Sequence, residues 1–197
     1  MTDLFGTPVL PGLRYEERFA SEADERSLIA HIDRAGLSPF RFQQWTGKRL
    51  TSSFGWSYDF ETGQFAPAAP LPEWLMPLRQ RAAAFAGLES RNLVQALVIR
   101  YDPGAGIGWH RDRPVFDHVI GVSLGGAATM RFRRRVGARF ERASAPLEPR
   151  SIYHLSGEAR HDWEHSIPGV AAPRWSVTFR SLSPKGAAAA GREFESP

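Results

Sequence analysis

The chain has 197 residues, 42% of them hydrophobic and 23% charged, which suits one soluble domain with a sizeable core and excludes an overall disordered protein. It contains no cysteine, so disulfides, thiolate metal sites and a cysteine nucleophile are excluded, and any metal must be held by nitrogen and oxygen. Lys and Arg outnumber Asp and Glu by 25 to 21, a net charge of +4 that favours a polyanionic partner such as nucleic acid.

The opening "MTDLFGTPVLPG" lacks the basic start and apolar middle of a signal peptide, and no apolar run approaches the ~18 residues of a membrane span. A cytoplasmic location without a membrane partner is expected. Next, "SEADERSLIAHIDRAG" (21–36) reads as a helix. Ser21 is placed to cap it with Asp24 three residues on, Leu28, Ile29, Ile32 and Ala35 form its apolar stripe, and Gly36 stops it. "QQWTGKRLTSSFGWSYDF" (43–60) follows, aromatic, β-branched and punctuated by glycine, and predicts short strands or a hairpin. "LPEWLMPLRQRAAAFAG" (71–87) is a second helix, with Pro72 near its first turn, Pro77 making its early part irregular and Gly87 as its stop.

From Leu93 the pattern changes to closely spaced short segments: "LVQALVIRY", "IGWHRD", "HVIGVSL", "ATMRFRR", "SIYHLSG", "WEHSI" and "RWSVTFRSL". Gly, Pro and charged turns separate them, as in a β-sandwich, barrel or jelly roll. The tail "SPKGAAAAGREFESP" (183–197) is expected to be frayed or flexible. One domain over 1–182 is expected. Residues 1–92 would supply a helical buttress and a hairpin, and 93–182 the β-core. Nothing in the chain requires association, so a monomer is expected.

The chemistry concentrates in three places. In "YDPGAGIGWHRD" (101–112), alternate residues of a strand share a face, so His110 and Asp112 project together. His165 follows 55 residues later in "HDWEHSIPG". Two histidines and one carboxylate match the facial triad of non-haem Fe(II), which leaves positions open for other ligands. In "PRWSVTFR", Arg174, Ser176, Thr178 and Arg180 share one strand face, opposite Trp175, Val177 and Phe179. That polar face either meets water or lines a cavity that binds an anion. Its two arginines lie roughly 20 Å apart at ~3.3 Å per residue. With side chains reaching inward, that gap would admit a short dicarboxylate.

Together, Y-x8-H-x-D, the later H-S-I-P and R-x-S-x-T-x-R resemble the AlkB family of Fe(II)- and 2-oxoglutarate-dependent dioxygenases. The likeness is specific over 93–182 and extends more loosely through "PGLRYEERFAS" and "GKRLTSSFGWSYDF". It implies a mainly β fold with flanking helices (α+β), a double-stranded β-helix or jelly roll carrying a nucleotide-recognition hairpin. It implies that His110, Asp112 and His165 hold Fe(II), and that Arg174 pairs with the distal carboxylate of 2-oxoglutarate, assisted by the Tyr101 hydroxyl. Arg180 would lie near the metal-side carboxylate and Ser176 would line the same pocket. The family oxidises C–H bonds with Fe(II), 2-oxoglutarate and O2, releasing succinate and CO2, and an N-methyl group so oxidised leaves as formaldehyde. Three positions depart from the family's pattern: Ile99 and Ser176 stand where asparagine is common, and Pro114 where several DNA-repairing members carry an acidic residue.

The substrate implied is a nucleic acid with alkylated bases, one of which must leave the stack to react. Trp56, Tyr58 and Trp163 are candidate stacking residues, and Lys48, Arg49 and Arg160 candidate basic contacts. The arginine run from Arg131 to Arg135 could track a phosphate backbone, although strand alternation sends its members to opposite faces. His31, His118, His154 and His161 are read as structural or solvent-facing. Three other functions fit the residues: the same chemistry on a protein side chain or small molecule, a non-catalytic nucleic-acid-binding jelly roll, and a zinc hydrolase with the same ligands, which leaves the arginine pair unexplained.

Overall fold

A computed structural model describes residues 10–42, 45–58 and 63–195. The expectations that fall on residues 1–9, 43–44, 59–62 and 196–197 lie outside the described residues: the start of the chain, parts of the segment between the helices and the last two residues of the tail. Strand β1 (Leu13–Glu16) leads into α1 (Glu22–Asp33), which Ser21 caps: its hydroxyl accepts from the Asp24 N–H at 3.0 Å, and the Asp24 carboxylate accepts from the Ser21 N–H at 3.1 Å. Strands β2 (Ser38–Phe42) and β3 (Trp45–Phe54) form the expected hairpin, and β4 (Trp56–Tyr58) pairs with β5 (Phe65–Pro67) in a smaller one. A single turn at Glu73–Leu75 precedes α2 (Met76–Ala86). Pro77 sits in the first turn of α2, where its missing N–H leaves no bond unmade, and Gly87 ends the helix in the left-handed region at φ 71°.

Eight strands follow: β6 (Leu93–Tyr101), β7 (Ile107–His110), β8 (Phe116–Gly125), β9 (Ala128–Val136), β10 (Arg139–Leu147), β11 (Ile152–Leu155), β12 (Glu164–Ile167) and β13 (Arg174–Leu182). A one-turn helix, α3 (Gly157–His161), joins β11 to β12. Seven strands make one antiparallel sheet in the order β1-β11-β8-β13-β6-β3-β2, and four make the other in the order β10-β9-β12-β7. This is the expected jelly roll. The hairpin of β2 and β3 widens the large sheet beside β6.

Two cores hold the layers. Between the sheets lie Ile99, Tyr101, Val119, Met130, Phe132, Leu147, Leu155, Trp163 and Ile167. On the outer face of the large sheet, Val98, Ile120, Val122, Val177 and Phe179 pack against Leu28 and Ile32 of α1 and Leu78, Ala82 and Ala83 of α2. Burial on both faces explains why "LVQALVIRY" reads as a nearly continuous apolar run. Glu25 anchors α1 to the sheet: its carboxylate accepts from the Gly125 N–H at 2.8 Å and from Arg150 Nη1 at 2.9 Å.

The tail departs from expectation. Residues Pro184–Glu195 form a helix, α4, which tucks Ala190 against Trp56, Phe65 and Phe116. The alanine run that looked low in complexity is a strong helix former once a buried face is available. Among the described residues, no helix is long and apolar enough to cross a membrane.

Candidate active site

The inner faces of the two sheets bring the expected side chains together. His110 ends β7 and His165 lies on the neighbouring β12, directly opposite it in the antiparallel register. Their imidazole centroids are 4.2 Å apart. Strand β7 stops at His110, so Asp112 belongs to the loop after it rather than to the strand, yet it stays on the same side. His110 Nε2 lies 3.7 Å from Asp112 Oδ1. One donor atom each from His110, Asp112 and His165 falls within 4.8 Å of the other two. Two nitrogens and one oxygen on one side of an ion, with no softer donor, fit Fe(II).

The electrostatics suit ligation. Burial, with His110 and the nearby arginines adding to it, pulls the His165 pKa down to about 3, so the imidazole is neutral and its lone pair available at physiological pH. Burial alone would raise the Asp112 carboxyl. Arg180, His110 and His165 overcome it and hold the group well below the usual carboxylate range, as an anion. Arg180 donates from Nε to Asp112 Oδ2 at 2.9 Å and from Nη1 to Gln95 Oε1 at 2.9 Å. It therefore holds the back of the ligand carboxylate, a role its sequence position did not reveal.

Arg174 opens β13 and is 1% exposed. Its guanidinium lies over the Tyr101 ring, 4.9 Å from the centroid, and Nε donates to Ser123 Oγ at 3.3 Å. Both terminal nitrogens, Nη1 and Nη2, are buried and have no hydrogen-bond partner among the described residues. Leaving buried charged donors unmet costs several kcal/mol. The parallel pair faces outward from the fork in the geometry that accepts a carboxylate through two hydrogen bonds. This orphaned fork is the observation that tests the co-substrate, and it fits a dicarboxylate. Tyr101 is buried with its ring beneath that guanidinium. Ser176 is buried in the same face, beside Ser123 and Ile99.

Sequence reasoning missed Tyr153. It lies on β11 opposite Gly121 of β8, and a Cβ at Gly121 would collide with its ring, so the phenol lies flat across the bare glycine. Burial, with Tyr101 and Asp112 nearby, pushes its pKa up to about 12 against the pull of Arg174 and Arg180, so it is a neutral hydroxyl close to those charges. The inward alternation of β11 was the available signal.

The proposed base contacts fare differently. Trp56 is buried and stacked on Phe65 at 4.7 Å, which packs it as core rather than leaving it to receive a base. Trp163 is buried between the sheets with Arg134 over its ring at 4.9 Å. Arg160 is buried and braces the loop after Asp112, donating from Nη2 to the carbonyls of Arg113 at 2.8 Å and Phe116 at 2.6 Å. Arg49 is buried beside Tyr101, and burial depresses its pKa. Trp56, Trp163, Arg160 and Arg49 are thus held inside the fold rather than on its surface. Tyr58 stays half-buried with the guanidinium of Arg113, the residue after Asp112, 4.5 Å above its ring, and Lys48 is exposed. His161 ends α3 and pairs with Asp117 at 3.1 Å, not with the triad, and His31 stacks on Trp74 at 5.1 Å.

The 2OG-Fe(II) oxygenase superfamily model matches residues 19–184. The Alkylated DNA repair protein ALKBH8 homolog of Arabidopsis thaliana is 29% identical over 81% of this chain and 51% of its own length. The Alpha-ketoglutarate-dependent dioxygenase AlkB of Escherichia coli (strain K12) is 31% identical over 67% of this chain and 72% of that protein. The solved structure of OsALKBH1 superposes with a TM-score of 0.70, covering 89% of this chain and 99% of that one at 14% identity, a likeness of fold. The chain spans about half the length of the Arabidopsis relative.

Proposed function

Because the chain belongs to the AlkB family of Fe(II)- and 2-oxoglutarate-dependent dioxygenases, we propose that it oxidatively demethylates N-alkylated bases of DNA or RNA. The observation that carries the chemistry is the buried fork of Arg174 with two unmet donors, on the same strand as Arg180, which grips Asp112 of the histidine–aspartate cluster. His110, Asp112 and His165 would hold Fe(II), and Arg174 the far carboxylate of 2-oxoglutarate. When bound, iron, co-substrate and O2 supply the oxidising power that hydroxylates a C–H bond.

The residues do the rest. Arg180 keeps Asp112 ionised and turned toward the two imidazoles. Burial keeps His165 neutral. Ile99, Val119 and Leu155 are buried in the core between the sheets, apolar surroundings that would protect an oxidising step from side reactions. At the rim, Tyr58 and Arg113 present a ring and a guanidinium to an incoming base. The names of the relatives and the basic charge of the chain support a nucleic acid as substrate.

The test is turnover under air with Fe(II), 2-oxoglutarate and a panel of N-methylated single-stranded DNA and RNA oligonucleotides, reading formaldehyde and succinate together. Equal yields of the two from a methylated oligonucleotide, and none from its unmethylated twin, are expected. Turnover of a methyl-lysine peptide instead would move the substrate to protein, and hydrolysis without oxygen would assign a different enzyme.

A further inference from the structure

The outer face of the four-stranded sheet carries a pattern that the site does not use. Arg131, Arg133 and Arg135 alternate along β9 and share that face, because Met130 and Phe132 between and beside them point into the core. Strand alternation therefore gathers three arginines of the run on one side. Arg142 of β10 stands directly opposite Arg133 in the antiparallel register. Like charges facing each other across a strand pair are destabilising, so the arrangement needs an anion to offset it.

Glu164 supplies one such anion, accepting from Arg133 Nε at 2.6 Å. Among the described residues, Arg131, Arg135 and Arg142 have no carboxylate partner. Aromatic rings separate the cations. Trp109, the residue before the ligand His110, lies under Arg131 at 5.2 Å and Arg133 at 4.5 Å. Phe140, 39% exposed, lies under Arg133 at 4.9 Å and within 5.9 Å of both Arg135 and Arg142. Beside them opens a groove of about 640 Å³, lined by Arg111, Arg133 and Arg135 together with Asp162 and Glu164. Two of its lining residues, Arg111 and Glu164, are the chain neighbours of His110 and His165.

We propose that this arginine–aromatic face binds the phosphate backbone of a single-stranded polynucleotide, holding the strand on which the reacting base lies. Arginines two residues apart on a strand repeat at ~6.6 Å, a ladder of cations suited to a line of phosphates. Interleaved rings give flexible bases surfaces to stack on without reading sequence. The inference rests on the reading of the substrate as a nucleic acid.

The test uses the full chain and fluorescein-labelled, unmethylated single-stranded oligonucleotides of DNA and RNA, with anisotropy measured across a salt series. Replacing Arg131, Arg135 and Arg142 together by Gln should weaken binding at low salt at least tenfold. It should also make the slope of log affinity against log salt shallower by about two, three contacts at ~0.7 each for single strands. Succinate formed without nucleic acid should not change. The single variant Arg142→Gln should weaken binding severalfold while its Tm holds or rises, because it removes the repulsion from Arg133; lost affinity with a matching fall in Tm would mark a structural role and contradict the proposal. An unchanged slope and affinity would overturn it, as would loss of binding to phosphatidylserine vesicles with oligonucleotide binding intact, which would assign the face to membranes. Turnover of methylated oligonucleotides is a separate measurement. Binding that depends on this face without turnover would sink the demethylase reading and leave the face standing, whereas turnover with binding indifferent to the face would do the reverse.

Discussion

Arg180 and Asp112, 68 residues apart in sequence, are joined by a hydrogen bond of 2.9 Å between Nε and Oδ2, with both side chains almost buried. The bond leaves Oδ1 turned toward His110 and fixes which oxygen is offered to a metal. Groups that orient a ligand in this way typically carry 10–100-fold of metal affinity. Arg180→Met should therefore weaken Mn(II) or Co(II) binding by about that factor, measured by titration without oxygen. Unchanged affinity would show that Asp112 is held by other contacts.

Arg174→Lys keeps the charge and removes the fork. The KM for 2-oxoglutarate should rise about 10–100-fold, the worth of one bidentate, charge-assisted contact, with metal affinity unaffected. The thermal shift on adding 2-oxoglutarate to the manganese-loaded protein should shrink in parallel, because ligand stabilisation follows the ratio of concentration to Kd. A variant with an undiminished shift would remove Arg174 from the co-substrate site.

Gly121 leaves room for the ring of Tyr153. Gly121→Ala should destabilise the protein by about 1–3 kcal/mol through forced repacking and should weaken 2-oxoglutarate binding as well. Combining it with Tyr153→Leu should cost less than the sum of the two single changes, since the collision disappears. Additive losses of Tm would mean the two positions do not interact.

His154 is buried on β11, with Nε2 2.9 Å from His118 Nδ1. Burial, then His118 and Arg14, hold its pKa at about 4 instead of 6.5. Between those values the unfolded chain binds more protons than the folded one, so stability falls as pH drops from 6.5 toward 4. Below that window the loss amounts to about 3 kcal/mol. The Tm of the wild type should fall more steeply from pH 7.5 to 4.5 than that of His154→Leu. Parallel curves would show that His154 does not set the acid limb.

The jelly roll was legible because strands with one polar and one apolar face, broken by Gly and Pro, announce themselves by alternation. The triad and Arg174 were legible because their spacing repeats a family pattern. Arg180's grip on Asp112 and the phenol of Tyr153 were not, since both depend on register between strands distant in sequence. The burial of the stacking candidates was hidden for a related reason. Trp56, Trp163 and Arg160 have the chemistry to meet a base, but whether a large side chain faces a cavity or a core is decided by packing that composition does not record. The tail misled because alanine-rich segments become helices only when another surface buries one face, as Ala190 does here.

Anaerobic titration of the protein with Fe(II) and then 2-oxoglutarate tests most directly whether one cavity holds both. A visible metal-to-ligand absorption band should grow to one equivalent, disappear in His165→Ala, and need far more 2-oxoglutarate in Arg174→Lys. A band that forms equally well in all three proteins, or in none, would contradict the assignment of His110, Asp112, His165 and Arg174 to a shared site.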